Sequence, residues 1–365
     1  MKIGIFGGSF NPIHKGHVQM MNVAIKELNL DKLIIVPAHK SPFKAKTDLV
    51  SDDLRVSMIE KVLPEKAEIS LFEINRKGIS YTIDTVKYLK NKYKNDELYL
   101  VMGSDNLLKL DKWKNIEELS KLAKITVLKR TKSVNKINIK KYNGLLIKND
   151  LYEASSTNFK RGNLDSVEDS VIEIIGKNFL YAKELVHNTL SAKRAKHCLA
   201  TATFAAELAK KHGLSAKKAY YAGLFHDIAK EWDPEVSINF INHFENFDRN
   251  ISKHELHQTA GYVWLKHYYQ VQDPEIEHSV LVHTTLDDFS NKELNWLDKV
   301  VYISDKICEG RKFSGIQKLR ELAFNDLEAG FKAVVTYVYN FEKYEKQTKF
   351  TPRQEEIYNK YINKG

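Results

Sequence analysis

Short apolar runs alternate with amphipathic helical patterns through the first half of this chain. Lys2 to Phe6, Leu33 to Val36, Glu97 to Met102 and Ile125 to Leu128 are near-continuous apolar runs, which suits strands buried on both faces of a parallel sheet. Between them the period lengthens to that of a helix. Val18, Met21, Ile25 and Leu28 share one face of a helix predicted over His17 to Leu28, and another is predicted over Leu54 to Leu63. Strands and helices in alternation predict a doubly wound α/β sheet, whose ligands sit at the carboxyl ends of the strands.

From about Val171 the strand signal stops. Helical patterns follow over Ala195 to His212, Ala216 to Lys230, His257 to Tyr269, Leu294 to Cys308 and Leu327 to Lys346. The change predicts an α/β domain over residues 1–185 and an all-α domain over 186–346, although no Pro- or Gly-rich linker marks the passage near Lys183 to Ser191. Residues 347–365 are a polar C-terminal extension, read as an added surface helix or a frayed end.

At 365 residues with 43% hydrophobic content, the chain can bury two ordinary cores. No apolar run approaches the length of a membrane span, and the start, MKIGIFGGSF, reads as strand and turn rather than as a leader. Cys198 and Cys308 form no Cys-x-x-Cys pair, so the expected setting is a reducing cytoplasm, without disulfides or a structural zinc site. The formal net charge of +10 raises the question of nucleic acid. Basic residues are interleaved with acidic ones, as in Glu342-Lys343-Tyr344-Glu345-Lys346, which predicts a solvated surface rather than a nucleic-acid face. A net positive field still favours polyanionic nucleotides.

The first strand runs into Gly7-Gly8-Ser9-Phe10-Asn11-Pro12-Ile13-His14-Lys15-Gly16-His17, and then a helix begins. Paired glycines let the backbone turn sharply and approach a ligand. The helix start offers unpaired N–H groups to phosphate, and His14 and His17 can both donate to phosphate oxygens. Neither G-x-x-x-x-G-K-[ST] nor G-x-G-x-x-G is present, which sets aside the two better-known phosphate loops.

This run resembles the HxGH signature of the nucleotidyltransferase superfamily. Pro37 to Lys44, Arg76 to Thr85, Gly103-Ser104-Asp105, Trp113 and Ser155-Ser156-Thr157 narrow the resemblance to bacterial nicotinate-mononucleotide adenylyltransferases, over roughly the first half of the chain. The resemblance implies a Rossmann-like domain that uses Mg2+ to transfer an adenylyl group from ATP to nicotinate mononucleotide, giving deamido-NAD and pyrophosphate. It implies catalytic roles for His14 and His17. ATP contacts would come from Gly7, Gly8, Ser9, Phe10, His14, His17, Gly103, Asp105, Ser155, Ser156 and Thr157. Lys44, Thr82, Thr85 and Trp113 would receive the nicotinate nucleotide. The alternative is another acceptor, phosphopantetheine or flavin mononucleotide. Two positions depart from the family pattern: Asn11 stands where Asp is usual, and Lys160, followed by Arg161, stands where Arg is usual.

The helical half carries His197, His226-Asp227, His257, His283 and Asp305. His226-Asp227 lies in the apolar segment Ala222 to Lys230, where two ionisable groups buried without a partner would cost several kcal/mol. A shared metal removes that cost, and inward-facing helices are where such sites are built. The order H…HD…H…H…D resembles the HD phosphohydrolase superfamily. His283-Thr284-Thr285, Tyr302 to Lys306 and Gly310-Arg311 resemble its symmetrical diadenosine tetraphosphatases, over about Ser191 to Ala329. The resemblance implies a two-metal site that splits diadenosine tetraphosphate into two ADP. Asp227 would bridge the ions, and His197, His226, His257, His283 and Asp305 would divide between them. Imidazole with carboxylate suits iron, manganese or zinc better than magnesium alone, and iron is the expected metal. Lys230, with a catalytic role, and Arg311 are candidate phosphate contacts. The alternative is an HD domain acting on other nucleotides, or a regulatory module without turnover.

Overall fold

The computed structural model describes residues 1–40, 42, 49–151, 154–246, 251–290 and 292–363, in two compact units, Met1–Ile174 and Ile175–Gly365. The first unit is built on six parallel strands. They are β1 (Lys2–Gly8), β2 (Lys32–Pro37), β3 (Ala67–Ile69), β4 (Glu97–Gly103), β5 (Lys124–Leu128) and β6 (Leu145–Ile147), in the order 3-2-1-4-5-6. Strand order reverses between β1 and β4, and such a switch point leaves a crevice at the carboxyl ends. Ile3, Ile5, Ile34, Val36, Leu100, Met102, Ile125 and Val127 of the central strands meet Val86, Leu89 and Leu119 of the covering helices in one core. The edge strands β3 and β6 have no counterpart in the apolar pattern, because each is three residues long and partly exposed.

The second unit is helical. Helices Ala192–Lys211 and Ala216–Phe225 approach closely along small residues: a Cβ on Gly223 would lie 2.9 Å from the Ala202 Cα. Helix Ala216–Phe225 stops short of the Lys230 end that the pattern predicts. Neighbouring residues on a helix point roughly 100° apart, so a continuing helix would send His226 and Asp227 in different directions. The chain opens into turns here instead. The helices predicted to end at Tyr269 and Lys346 finish in π-helical turns, Trp264–Tyr268 and Phe341–Glu345. Within the polar extension, helix Pro352–Ile362 is capped by Thr351 and buries Ile357 and Tyr361, so it is packed rather than frayed.

The division at Ile174 and Ile175 lies upstream of the 185/186 boundary expected from the pattern. Residues 175–190 are bound into the helical unit. The Tyr269 hydroxyl donates to the Leu180 carbonyl at 2.9 Å. A Cβ on Gly176 would fall 2.1 Å from the carbonyl oxygens of both Tyr269 and Gln270. Gly176→Ala is therefore expected to destabilise the helical unit by about 1–3 kcal/mol. Thermal unfolding of the full chain should show one transition lowered and the α/β transition unmoved; a variant with both transitions unshifted would contradict this placement.

Candidate active sites

The first site forms where β1 and β4 part. Gly8 is small for a reason: a Cβ there would meet the Phe10 ring at 2.9 Å. Phe10 has a left-handed backbone (φ 44°) and turns its ring into the core, edge-on to Phe6 and His17. Phe10, expected among the ATP contacts, thus packs its ring as a wedge in the core beside the loop. His14 caps helix Lys15–Glu27, and its N–H donates to His17 Nδ1 at 3.2 Å. Because His17 Nδ1 accepts, a neutral His17 carries its proton on Nε2 and can donate from there. The two imidazoles stack with centroids 3.6 Å apart. Buried Asn11 accepts through Oδ1 from the Val50 N–H at 3.2 Å, a role that needs only an oxygen.

Ser155-Ser156-Thr157 comes to the same loop. The Ser156 hydroxyl donates to the Pro12 carbonyl at 3.0 Å, and a Cβ on Gly16 would lie 3.1 Å from the Ala154 carbonyl. Gly103 and Asp105 join through Arg130, which sequence reasoning missed. Arg130 donates to the Ala154 carbonyl at 3.0 Å and lies 4.0 Å from Asp105, while a Cβ on Gly103 would overlap both side chains. Its signal was position alone, just past the end of β5. Arg55 was missed too. Its guanidinium, 0% exposed, donates to the carbonyls of Ser9 and Ala38 at 2.7 Å and also pairs with Asp52, tying the phosphate loop to the end of β2. Arg55 shares a helix face with buried Met58 and Ile59, and a cation on an apolar stripe was the available sign.

The residues expected to receive the nicotinate nucleotide are less gathered. Lys44 lies outside the described residues. Thr82 begins helix Thr82–Lys92, and Ser80 ties this segment to β2 by accepting from the His39 N–H at 3.1 Å. Thr85 is buried and donates to Glu73, whose carboxyl is raised by burial. Trp113 is half-buried against the core. Of the two basic residues after Thr157, Lys160 is half-buried and Arg161 exposed.

In the second unit all six expected ligands converge as two triplets, His197–His226–Asp305 and Asp227–His257–His283. One oxygen of Asp227 lies 3.5 Å from His283 Nε2 and 3.6 Å from His257 Nε2, and its other oxygen lies 3.5 Å from His226 Nε2. Asp227 therefore touches both triplets. The Nδ1 atoms of His226 and His283 each point at a carbonyl one turn back, Gly223 and Val280, at 2.7 Å. That fixes Nε2 as the atom facing the site. His226 Nε2 is buried with no hydrogen-bond partner among the described residues, 3.5 Å from both carboxylates. A divalent ion satisfies such an atom, and the donor set fits one. Around the triplets lie four cations: Arg194 on Asp227 at 2.6 Å, Lys306 on Asp305 at 2.5 Å, Arg311 on Asp305 at 3.0 Å, and Lys230 at 2.9 Å from His257. Arg194 was not foreseen, since Lys193-Arg194 reads as ordinary basic surface.

Charge is balanced tightly here. Burial opposes ionisation of Asp227 and Asp305, yet His226 and, for Asp305, Lys306 hold both carboxyls well below the usual range. Burial lowers His197, His283 and His257, the last to about 2, which favours the neutral form in which an imidazole can bind a metal. Burial also opposes a charge on His226, but Asp227 and Asp305 outweigh it and push the group up to about 9.

A cytidylyltransferase-like family model matches residues 5–162, and an HD domain model matches residues 194–309. The protein of Mycoplasma genitalium named "Probable nicotinate-nucleotide adenylyltransferase/Ap4A hydrolase" is 32% identical over 356 residues, covering 94% of this chain and 99% of that one. A "Probable nicotinate-nucleotide adenylyltransferase" of Clostridium perfringens is 35% identical over 200 residues, covering 50% of this chain and 99% of its own. A crystal structure of a predicted HD superfamily hydrolase involved in NAD metabolism, from Clostridium acetobutylicum, covers 50% of this chain and 96% of its own at 26% identity, with a TM-score of 0.44. The HD match and the two triplets make the helical unit a divalent-metal-binding domain.

Metal entry must displace the proton held on His226. The group is raised from 6.5 to about 9, so this proton stabilises the metal-free fold fully below pH 6.5 and ceases to as pH passes about 9. Apparent Mn2+ affinity should accordingly rise with pH by up to about tenfold per unit for one displaced proton, and flatten above about 9. Mn2+ titrations across that range check this; an affinity independent of pH would contradict it.

Proposed function

The chain belongs to the nicotinate-nucleotide adenylyltransferase/Ap4A hydrolase family, and from that premise we propose two activities, one for each unit. The α/β unit joins ATP to nicotinate mononucleotide. The observation that carries this reading is the meeting of the His14–His17 loop with Ser156 at the sheet's switch point. A 5′-phosphate oxygen of nicotinate mononucleotide attacks the α-phosphorus of ATP. The bond from that phosphorus to the bridging oxygen breaks, and pyrophosphate leaves with the electron pair. The nucleophile is already ionised near neutral pH, so alignment and charge offset suffice. His17 Nε2–H, the N–H groups that open helix Lys15–Glu27 and the Ser155 to Thr157 segment supply the donors. Thr82 and Trp113 receive the nicotinate nucleotide. Mg2+, carried with ATP, offsets charge on the triphosphate.

The helical unit hydrolyses diadenosine tetraphosphate to two ADP. The observation that carries this is the pair of triplets sharing Asp227. Two divalent ions, for which iron, manganese and zinc all suit the donor set, would supply Lewis acidity toward water and phosphoryl oxygens when bound. The protein's own part is to orient Nε2 donors and to surround the polyphosphate with Arg194, Lys230, Lys306 and Arg311. Attack at a central phosphorus breaks its bond to the central bridging oxygen and leaves ADP on each side. Both Cys198 and Cys308 are free and buried, and no helix among the described residues is long and apolar enough to cross a membrane. We place the enzyme in the cytoplasm, where its nucleotides are.

Three outcomes test this reading. His17→Ala should lower kcat for adenylyl transfer about a hundredfold or more, with ATP binding weakened far less; equal loss of both would reject a transition-state role, and preference for phosphopantetheine would reject the acceptor. Asp227→Ala should abolish both metal retention and hydrolysis. In 18O-labelled water the wild-type chain should give ADP alone, one of each pair labelled, whereas AMP with ATP would reject symmetrical cleavage.

A further inference from the structure

The C-terminal extension is better connected to the second site than its polar sequence suggests. Arg353, near the start of helix Pro352–Ile362, grips Asp287 with two parallel bonds: Nε to one carboxylate oxygen and Nη2 to the other, both 2.9 Å. Asp287 is buried and stands four residues after the ligand His283. Its neighbours Leu286 and Phe289 both hold left-handed backbones, with φ of 59° and 63°. Branched and aromatic residues avoid that region, so a turn of this shape persists only where its surroundings hold it. Asp287 Oδ1 also accepts from the Phe289 N–H at 2.9 Å, which makes the carboxylate the centre of the turn.

The other side of this turn leads directly to the metal ligands. Gln258, next to His257, accepts from the N–H groups of Thr284 and Thr285 at 3.1 and 3.3 Å and donates to the Thr285 hydroxyl at 2.8 Å. The Thr284 hydroxyl lies 3.1 Å from His257 Nε2. The same helix reaches the opposite triplet. Tyr361 packs edge-on to Phe331, and Phe331 packs edge-on to Tyr302, three residues ahead of Asp305. One short helix thus braces the turn after His283 and the helix that carries Asp305.

We propose that helix Pro352–Ile362 is a strap that positions the hydrolase ligands, with Arg353 acting through Asp287 as its positioning residue. This rests on the reading of the helical unit as a metal-dependent hydrolase. A fork is required, because only a guanidinium fills both carboxylate oxygens at once. Partners that orient metal ligands typically alter metal affinity or activity by about 10–100-fold when removed.

The test uses the full chain and the variants Arg353→Met, Arg353→Lys, Asp287→Asn and the double variant. Mn2+ affinity is read by electron paramagnetic resonance, alongside kcat and KM for diadenosine tetraphosphate. Arg353→Met should weaken Mn2+ binding or lower kcat by about tenfold or more while KM moves little, and Arg353→Lys should recover only part of the loss. The double variant should be no worse than the worse single one, since both act through one ion pair. Adenylyl transfer should be unchanged throughout. A thermal transition for the helical unit retained in Asp287→Asn separates positioning from unfolding. Wild-type Mn2+ affinity and kcat in Arg353→Met would overturn the strap, as would additive losses in the double variant. A wild-type chain inert toward diadenosine tetraphosphate would reject the substrate, while the strap would still stand or fall on Mn2+ affinity.

Discussion

Asp227 and Asp305 lie almost wholly out of water, at 3% and 6% exposure, and most of the helical unit follows from that. A buried carboxylate stays ionised only beside compensating charge and donors. Compensation comes in layers. His226 lies 3.5 Å from both carboxylates, Arg194 and Arg311 bond the same oxygens that face it, and Lys306 bonds the other oxygen of Asp305. The imidazoles must be aimed as well as present, and carbonyls at Gly223 and Val280 aim two of them. These requirements end helix Ala216–Phe225 where it ends and set His283 at the close of helix Pro274–Val282. The triplets are therefore a constraint on backbone path, not groups added to a finished bundle.

In the α/β unit the corresponding constraint falls on a loop. A segment that must approach a phosphate chain cannot carry bulky side chains on its upper surface, so Gly7 and Gly8 come first and Phe10 is turned below. Such a loop has little packing of its own. Arg55 supplies what is missing: a fully buried guanidinium that spends its donors on the Ser9, Ala38 and Val50 carbonyls and on Asp52. Removing one partner of a buried charged network leaves the rest uncompensated. Order in this loop thus rests on a buried residue of helix Asp52–Glu60, outside the loop itself.

The central strands were legible because burial on both faces leaves an uninterrupted apolar run, and β1, β2, β4 and β5 have that character. β3 and β6 were not, since three half-exposed residues carry no period. The six residues that converge as the two triplets could be named from order and type, as could the loop histidines. Their supports could not. Arg194, Arg130 and Arg353 act through contacts across 33, 24 and 66 positions of sequence, and each looks locally like a solvated base. Gln258 has the same character: what it does depends on Thr284 and Thr285. Sequence displays groups that must be of one chemical type, and conceals those whose role is set by where the fold brings them.

The two units differ physically because their nucleophiles differ. A phosphate monoester arrives ionised, so the α/β unit needs no strong base but donors in fixed directions and charge offset, and backbone N–H groups with a histidine Nε2–H supply the donors. Water arrives as a weak acid and must be made stronger, which calls for concentrated positive charge in a dry place. Holding that charge requires buried carboxylates, and buried carboxylates require the outer cations. Those same cations flank the triplets, and Arg194 and Arg311 stay partly exposed, within reach of a phosphate oxygen. Charges that compensate the buried carboxylates are in this way already positioned for a polyphosphate ligand, and their partial exposure keeps them open to it.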